Sequence, residues 1–211
     1  ALPDPYLTPP KTNRKLPFNP KKIHTYIDGG AFIGEDFSQH LNLFSKINTA
    51  MLIEPDPKSY KKLILRSFNN DLNIKNINAA LSNAEGFIKF KADGNWGSKV
   101  SLNSEATPED IEVPSITIDM LTSQIKEITY VKLDLEGHEI QALQGAVRTL
   151  ESNNTIFSIT LEHRALDIIE IPDLLSNYKN RLNFLYSHDS EFSMDLVLYS
   201  VPECLAITSE A

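Results

Sequence analysis

A strand that breaks into a glycine-rich turn near residue 28 constrains this chain more than any other feature of its sequence. Residues 26–35 read YIDGGAFIGE, so an apolar run ends in Asp28 and is followed at once by Gly29 and Gly30. These glycines allow backbone conformations that a Cβ disfavours, and Gly34 follows where a helix is predicted to begin. Such a turn directs the amides of a helix N-terminus and one carboxylate toward a bound small molecule.

A second acidic residue follows the next predicted strand. Residues 51–57 read MLIEPDP, in which Glu54 and Pro55 end the apolar run, and Glu54 lies 20 residues after Gly34. Nucleotide-binding sheets place the acid that accepts hydrogen bonds from ribose hydroxyls at about this distance from the turn. The two features together predict a nucleoside site.

The spacing of the glycines separates two kinds of cofactor. A dinucleotide-binding turn has the pattern G-x-G-x-x-G, which lets the backbone approach a pyrophosphate. This chain has Asp28-x-Gly30-x-x-x-Gly34, with the bulky Phe32 at the third position of that motif. S-adenosylmethionine has no pyrophosphate, and this pattern suits it better. The alternative is a turn that merely closes a corner between a strand and a helix.

Composition narrows the class of protein and of partner. The chain has 211 residues, a net charge of −8 and 41% apolar residues, which fits one globular domain and argues against a nucleic-acid partner. The single cysteine, Cys204, permits no internal disulfide and no cysteine cluster for zinc. No apolar run approaches the roughly 18 residues of a membrane helix, and no signal-peptide pattern is visible. We therefore expect a cytoplasmic protein without a membrane span.

Proline content marks the first predicted boundary. Six of the twelve prolines lie in residues 1–20, and such a composition sustains neither a helix nor an interior strand. We predict an extended arm at residues 1–22, one domain at residues 23–203 and a short tail at residues 204–211.

Strand-like and helical segments alternate through the predicted domain, which indicates an α/β fold with a parallel sheet covered by helices on both faces. The predicted strands are 23–28, 50–54, 73–79, 87–90, 113–118, 129–135, 156–161, 182–186 and 194–201. The predicted helices are 35–46, 57–69, 119–126, 139–150 and 168–178. About seven strands should form the sheet, and the last two should form a C-terminal antiparallel hairpin.

One segment of about twenty residues interrupts this alternation. Residues 92–112 are polar and aperiodic, and they contain the only tryptophan, Trp96, between Gly94 and Gly97. A stretch of this length inside a compact domain is usually either a functional loop or disordered. We predict a lid over the ligand, with Trp96 and Ser98 at its working end.

Acidic residues cluster again where the predicted strand 129–135 ends. Asp134 and Glu136 are two residues apart, so they should share one face at the ligand-binding edge of the sheet. Glu139 is interpreted as a first-turn helix residue favoured by the helix dipole, with His138 beside it. A cation held by Asp134, Glu136 and His138 is an alternative, but no repeated ligand spacing supports it, so no metal is predicted.

A histidine follows the next strand, in the segment Glu162-His163-Arg164. Because the pKa of histidine lies near neutrality, His163 is a candidate general base at the same edge of the sheet. The alternative is a structural residue held by hydrogen bonds.

These residues resemble the FkbM-type family of S-adenosylmethionine-dependent methyltransferases, from about Thr25 to His163. The similarity rests on Asp28-Gly-Gly-Ala-Phe-Ile-Gly34, Glu54-Pro-Asp-Pro57, Asn78-Ala-Ala-Leu-Ser82, Ile118-Asp119 and Lys132-Leu-Asp-Leu-Glu-Gly-His-Glu139 with Leu143 and Gly145. The Lys132–Glu139 block is the most distinctive of them. The resemblance implies a Rossmann-like, seven-stranded class I methyltransferase sheet, and methyl transfer to a hydroxyl of a sugar, glycan or natural product.

The resemblance also implies roles for individual positions. The implied cofactor-binding set is Asp28, Gly29, Gly30 and Gly34 for the methionine end, Glu54 with Pro55 for the ribose, and Asn78, Ala80 and Leu81 for adenine. Asp134 would lie near the methyl and amino groups. Phe32 stands where the family commonly has asparagine, and His138 where it commonly has a small residue. Both departures alter the shape of the pocket and leave the cofactor motif intact.

Methyl transfer to a hydroxyl requires that the acceptor lose its proton, and His163 and Glu136 are the candidate bases. With Asp134 they form the predicted catalytic set, and the expected partner is a small-molecule or saccharide acceptor. Two other functions stay open. One is a catalytically silent, methyltransferase-like binding module; the other is a nicotinamide-dependent oxidoreductase, which the glycine spacing disfavours.

Overall fold

A mostly parallel seven-stranded sheet forms the centre of the computed structural model, which describes residues 16–68, 71–94, 97–101, 107–189 and 194–207. The strands of this part of the chain are β1 (Thr25–Gly29), β2 (Thr49–Ile53), β3 (Asn73–Ile77), β4 (Ala80–Leu81), β5 (Gly86–Lys91), β6 (Lys99–Val100), β7 (Ile111–Ile116), β8 (Thr129–Leu133), β9 (Thr155–Thr160), β10 (Arg181–Asp189) and β11 (Met194–Pro202). The helices are α1 (Glu35–Leu43), α2 (Pro57–Leu63), α3 (Ile118–Thr122), α4 (Glu139–Gln144), α5 (Val147–Glu151) and α6 (Asp167–Ser176).

The strand order of the main sheet is β10-β11-β9-β8-β1-β2-β3. Strand β11 is antiparallel to both β9 and β10, and the other pairings are parallel. The chain runs outward from β1 to β3 and then returns to β8 on the other side of β1, so the order reverses between β1 and β8. Ligands of open α/β sheets bind at such a reversal. The predicted seven-stranded sheet and C-terminal hairpin are confirmed.

The central strands are apolar because helices cover both faces of the sheet. Every residue of β1 and of β8 is buried. Side chains alternate between the faces, so Ile27 packs with Leu143 and Phe157 in one core, while Tyr26 packs with Phe37 in the other. Helices α3 to α6 contribute to the first core and α1 and α2 to the second.

A second sheet, with the order β4-β7-β5-β6, was not predicted as a separate unit. Residues 99–100 and 111–112 belong to strands of this sheet, although they lie in the segment 92–112 that was predicted to be aperiodic. Strand β6 has only two residues, too few to show a period-2 pattern, and β7 begins two residues before the predicted strand 113–118. Trp96 lies outside the described residues, so its predicted position in a lid stays a prediction.

The predicted helix 139–150 is wrong in one respect, because it consists of two helices. Helix α4 ends at Gln144 and α5 begins at Val147. At the break, a Cβ on Gly145 would stand 2.1 Å from the carbonyl oxygen of Ser82. At Gly145 the backbone therefore lies so close to the Ser82 carbonyl that no residue with a Cβ would fit. The predicted helices 35–46, 57–69 and 119–126 also end earlier, at Leu43, Leu63 and Thr122.

The first and last segments that the structure describes lie next to each other, near Phe18 and Ala206. Phe18 is 1% exposed and lies against Phe44, Tyr130 and Tyr199. It forms a β-bridge with Ala206. Phe18 therefore belongs to the core of the α1 and α2 side, although it lies within the predicted arm. Among the described residues, no helix is both long and apolar enough to cross a membrane.

Candidate active site

A cleft opens at the carboxyl ends of β1, β2 and β8, beside the reversal of strand order. Because Gly29 is paired with both Ile53 and Leu133, the three strands end level with one another. The cleft is open to solvent, and about 630 Å³ of space lies between its walls when the open mouth is included. Its lining consists of Gly30, Phe32, Ile53, Glu54, Pro55, Ala79, Ala80, Leu81, Phe90, Ser98, Val100, Asp134, Leu135, Glu136 and His138.

Most of the predicted site residues lie in this lining, although they come from five different segments of the chain. Four others, Asp28, Gly29, Gly34 and Asn78, do not line the cleft. Asn78 instead supports the wall, because its side-chain amide donates to the carbonyl oxygens of Glu54 at 2.8 Å and Pro55 at 3.0 Å. His163 stands behind the acidic residues at the mouth and is described below.

The glycine turn holds β1 against the segment that follows β8. Gly30 has a φ of +76°, and a Cβ there would stand 1.9 Å from the carbonyl oxygen of Asp134. Phe32 also has a positive φ, of 48°, which is strained for a residue with a large side chain. Its amide donates to Glu54 Oε2 at 2.7 Å, and this bond helps to hold the strained turn.

We expect Gly30→Ala to destabilise the protein by about 3 kcal/mol or more, because strain at positive φ adds to an overlap with backbone. For a chain of this size that corresponds to a fall in Tm of roughly 6–12 °C. Gly86→Ala is the matched control, since Gly86 also has a positive φ but its nearest neighbour would lie 3.9 Å away. Equal falls in Tm for the two variants would show that contact with Asp134 is unimportant.

Glu54 occupies the wall of the cleft directly after β2. The side chain is buried, and its two oxygens accept hydrogen bonds from the amides of Asp56 at 2.8 Å and Phe32 at 2.7 Å. Burial raises the pKa of Glu54 to about 7, although both amide bonds oppose that shift. Each carboxylate oxygen has a second lone pair that can accept a hydroxyl donor.

A buried lysine, to which the sequence alone assigned no role, forms ion pairs with several acidic residues of the site. Lys132 Nζ lies 2.9 Å from Asp36, 3.1 Å from Asp134 and 3.7 Å from Asp28. Burial disfavours the ammonium, but these three carboxylates raise its pKa well above the ordinary value. The signal was present in the sequence, because a lysine in a fully buried strand requires partners for its charge.

Asp28 is completely buried at the end of β1. Within the described part of the chain, neither of its carboxylate oxygens has a hydrogen-bond partner. Burial raises its pKa to about 7, against the opposing effect of Lys132. Lys132 Nζ pairs with Asp28 at 3.7 Å, beyond hydrogen-bond distance, so these oxygens could still accept from a further cationic donor.

Asp134 and Glu136 lie just beyond the carboxyl end of β8, which is two residues shorter than the predicted strand 129–135. The strand ends at Leu133, and Glu136 has a positive φ of 53° in the turn that follows. Both carboxylates nevertheless face His163, whose Nε2 lies 3.2 Å from Asp134 Oδ1 and 3.8 Å from Glu136 Oε1. Burial opposes ionisation of Asp134, but Lys132 and His163 hold its pKa well below the usual range.

His163 does not fit the general base that the sequence analysis predicts. Burial disfavours the imidazolium, but hydrogen bonds to Asp134 and Glu139 raise the pKa of His163 to about 10. The ring therefore already carries a proton on each nitrogen at neutral pH, and it has no lone pair with which to accept another. Burial raises the pKa of Glu136 above its ordinary value, so Glu136 suits the base better.

Glu139 lies in the first turn of α4, as interpreted from the sequence, and it has a further role that the sequence did not reveal. Its side chain is fully buried, and Oε1 accepts from the amide of Leu135 at 2.7 Å and faces His163 Nδ1 at 2.8 Å. Glu139 therefore fixes the orientation of the imidazole. Its neighbour His138 is the N-cap of α4 and lies 3.2 Å from Ser82 Oγ. Burial lowers the pKa of His138 to about 4, so this ring is neutral.

Ser98 connects the segment between β5 and β6 to helix α2. Its hydroxyl donates to Asp56 Oδ2 at 2.6 Å, and the amide of Gly94 donates to the same oxygen at 2.7 Å. Asp56 Oδ1 meanwhile caps α2 through the amide of Lys58 at 2.7 Å. The buried Asp56 thus caps the N-terminus of α2 and also anchors the segment that contributes Ser98 to the wall of the cleft.

The model of the methyltransferase FkbM domain family matches residues 28–182 of this chain. Among curated proteins, the hexuronic acid methyltransferase AglP of Haloferax volcanii is 27% identical over 152 residues, which cover 70% of this chain and 61% of that protein. The chain thus spans less than two thirds of the length of this relative.

Solved structures share the fold. The methyltransferase FkbM from Methylobacillus flagellatus KT matches with a TM-score of 0.66 and 22% identity, over 93% of this chain and 48% of that one. An rRNA methylase from Streptococcus thermophilus matches with a TM-score of 0.50 and 9% identity, over 86% of this chain and 88% of that one. At these identities the likeness concerns the arrangement of the sheet and helices.

Proposed function

The chain belongs to the methyltransferase FkbM domain family, and from that premise we propose that it transfers a methyl group from S-adenosylmethionine to a hydroxyl of a saccharide or another small hydroxylated acceptor. The observation that carries the proposal is the convergence of the Gly30 turn, Glu54 and Asp134 on one cleft at the reversal of strand order. The hexuronic acid named for the Haloferax volcanii relative supports a saccharide as the acceptor.

The residues of the cleft fit the chemical groups of this cofactor. Glu54 offers two buried carboxylate oxygens for ribose hydroxyls, and Ala80 and Leu81 offer an apolar wall for adenine. Asp134 lines the cleft and offers negative charge for an ammonium, and Asp28, buried behind the lining and ion-paired with Lys132, can add to that charge. When bound, S-adenosylmethionine supplies an electrophilic methyl group.

The protein's own contribution to the reaction is position and charge. Holding an acceptor oxygen in line with the methyl group accounts for much of the acceleration available to such a transfer. Glu136, half-exposed at the mouth of the cleft, is the carboxylate best suited to take the acceptor's proton in the absence of another activating group. His163 and Lys132 keep Asp134 ionised beside it.

The test is ligand binding followed by turnover. We expect S-adenosylmethionine and S-adenosylhomocysteine to raise the Tm of the full chain, and NAD and NADP to leave it unchanged. Release of S-adenosylhomocysteine in the presence of hexuronic acids and other hydroxylated sugars then measures transfer. Stabilisation by NAD would favour the oxidoreductase. Binding of S-adenosylmethionine without turnover on any acceptor offered would favour the silent binding module.

We expect the affinity for S-adenosylmethionine to fall by up to roughly tenfold between pH 8 and pH 6, because ribose hydroxyls donate to the ionised form of Glu54 and its pKa is about 7. Asp56 and Lys132 are the charged groups that face this carboxylate. Calorimetric titrations at several pH values measure the effect. Glu54→Gln should remove the part of the pH dependence that Glu54 contributes and leave the part due to Asp28, whose pKa is also raised to about 7. An affinity that does not change between pH 6 and pH 8 would contradict the role of Glu54.

The apo protein should respond to pH in the opposite direction. Glu54 binds its proton more tightly when folded, since its pKa rises from 4.5 in the unfolded chain to about 7. Its contribution to the free energy of unfolding is therefore fully present below pH 4.5 and is lost as the pH rises through about 7. Comparison of denaturant unfolding in the wild type and in Glu54→Gln across this range isolates that contribution.

A further inference from the structure

Three potential metal ligands converge at the mouth of the cleft. One oxygen each from Asp134 and Glu136 and one ring nitrogen of His163 all lie within 4.8 Å of one another. This group differs from the alternative weighed from the sequence, because His138 faces Ser82 at 3.2 Å and is not part of it. Two carboxylates and one imidazole are a donor set that suits Mn²⁺, Fe²⁺ or Mg²⁺ with further positions open to water or substrate.

A second, independent feature supports a ligand role for His163. Its Nδ1 faces the fully buried carboxylate of Glu139 at 2.8 Å, which leaves Nε2 directed toward Asp134 and Glu136. Metal-binding histidines are commonly held in this manner by a carboxylate on the nitrogen that does not bind the metal. Glu139 Oε2 is also buried, and among the described residues it has no hydrogen-bond partner.

The excess of negative charge in the site also favours a bound cation. Ion pairs link five carboxylates, those of Asp28, Asp36, Asp134, Glu136 and Glu139, to only two cationic side chains, Lys132 and His163. With every group ionised, five negative and two positive charges leave an excess of −3, which protonation of Asp28 reduces to −2. The ammonium of a bound cofactor would offset one further charge. Negative charge at the mouth of the cleft would remain.

We propose that Asp134, Glu136 and His163, through Nε2, bind one divalent cation. The proposal deepens the proposed function and rests on it for the cation's role. There the cation would hold a hydroxyl oxygen of the acceptor and lower its pKa, so that the proton passes to solvent water. Glu136 then acts as a ligand, and the activated hydroxyl needs no carboxylate base.

The first measurement is direct binding of Mn²⁺ to the full chain after treatment with chelator, followed by electron paramagnetic resonance and calorimetry. We expect one site with a Kd of about 10⁻⁴ M or tighter. Glu136→Gln should weaken it by about 10- to 100-fold, and so should His163→Asn. Glu85→Gln, at an exposed position away from the cleft, is the matched control and should leave the Kd unchanged.

A spectroscopic signature identifies the ligands independently of affinity. Electron spin-echo modulation from a directly bound ¹⁴N nucleus should be present in the wild type and in His138→Asn, and absent in His163→Asn. Glu136 is partly exposed, so Glu136→Gln is expected to keep its fold, and its Tm verifies this. Absence of a Mn²⁺ site, or a site that neither Glu136→Gln nor His163→Asn weakens, would overturn the proposal.

These results are separable from those that test the proposed function. Mn²⁺ binding at this site without methyl transfer would support the cation site and count against the transferase. Methyl transfer that persists in excess chelator, together with no Mn²⁺ binding, would support the transferase and overturn the cation site.

Discussion

We expect Asp134→Asn to lower the rate of methyl transfer by on the order of 10²- to 10³-fold, the loss typical of removing a charged group directed at the reacting centre. Asp134 lines the cleft and lies 3.1 Å from Lys132 Nζ and 3.2 Å from His163 Nε2. Asparagine keeps the shape of the side chain and removes its negative charge. The site then loses attraction for a cofactor cation, and Lys132 and His163 lose a shared partner.

The measurement is steady-state kinetics with S-adenosylmethionine and a saccharide acceptor, with calorimetry to separate affinity from turnover. Thermal melts establish that the variant folds, which is expected because Lys132 retains Asp28 and Asp36 as partners. Turnover equal to that of the wild type would remove Asp134 from the catalytic set.

Glu139→Gln is the matched control, because it makes the same chemical change five residues later in the chain. As a first-turn helix residue alone, Glu139 would contribute about 0.3–1 kcal/mol. Its burial and its contact with His163 raise the expected loss of stability to about 1.5–3 kcal/mol, the range for hydrogen bonds to charged groups. We expect Glu139→Gln to lose more stability than Asp134→Asn and to retain more of the cofactor affinity.

The second large effect should come from Glu54→Ala, which we expect to weaken S-adenosylmethionine binding by 100-fold or more. Two charge-assisted hydrogen bonds to ribose hydroxyls are worth about 3 kcal/mol or more together. The variant also frees the amides of Phe32 and Asp56, which now donate to the carboxylate at 2.7 and 2.8 Å. Because one of them belongs to the strained turn, the variant loses preorganisation of the pocket as well.

Glu54→Gln separates the contribution of the negative charge from that of the hydrogen bonds to the amides of Phe32 and Asp56. It keeps an oxygen for one amide donor and removes the charge, so its affinity should lie between those of the wild type and Glu54→Ala. Calorimetry on folded protein gives the values, and Glu85→Ala is the control for loss of an exposed glutamate. Near-native affinity in Glu54→Ala would exclude Glu54 as the ribose ligand.

The sequence determined the elements whose signals are local. The run before Asp28 is predicted to be a strand, because it contains the β-branched or aromatic residues Ile23, Thr25, Tyr26 and Ile27 and is followed by a turn that needs glycine. The same reasoning applies to the strands before Glu54 and Asp134. Since carboxyl ends of parallel strands meet at one edge, the sequence also predicted that these acids would gather there.

The sequence could not decide contacts made between distant segments. Glu139 has the pattern of an exposed first-turn residue, and only the packing of α4 against the segment after β9 buries it beside His163. The proton on His163 follows from that contact, because two carboxylates reverse the effect of burial on its pKa. The break at Gly145 likewise depends on the Ser82 carbonyl, 63 positions earlier in the chain.

The charge interactions of the cleft also depend on contacts between distant segments, which the sequence alone does not define. Lys132 was visible as a charge in an apolar strand, but its partners on β1, α1 and the turn after β8 are defined only when the strand order is known. Periodicity and turn chemistry depend on neighbours a few residues away, and they fix which elements form. A pKa, a buried ion pair or a set of metal ligands depends on distances through space, which the tertiary structure alone supplies.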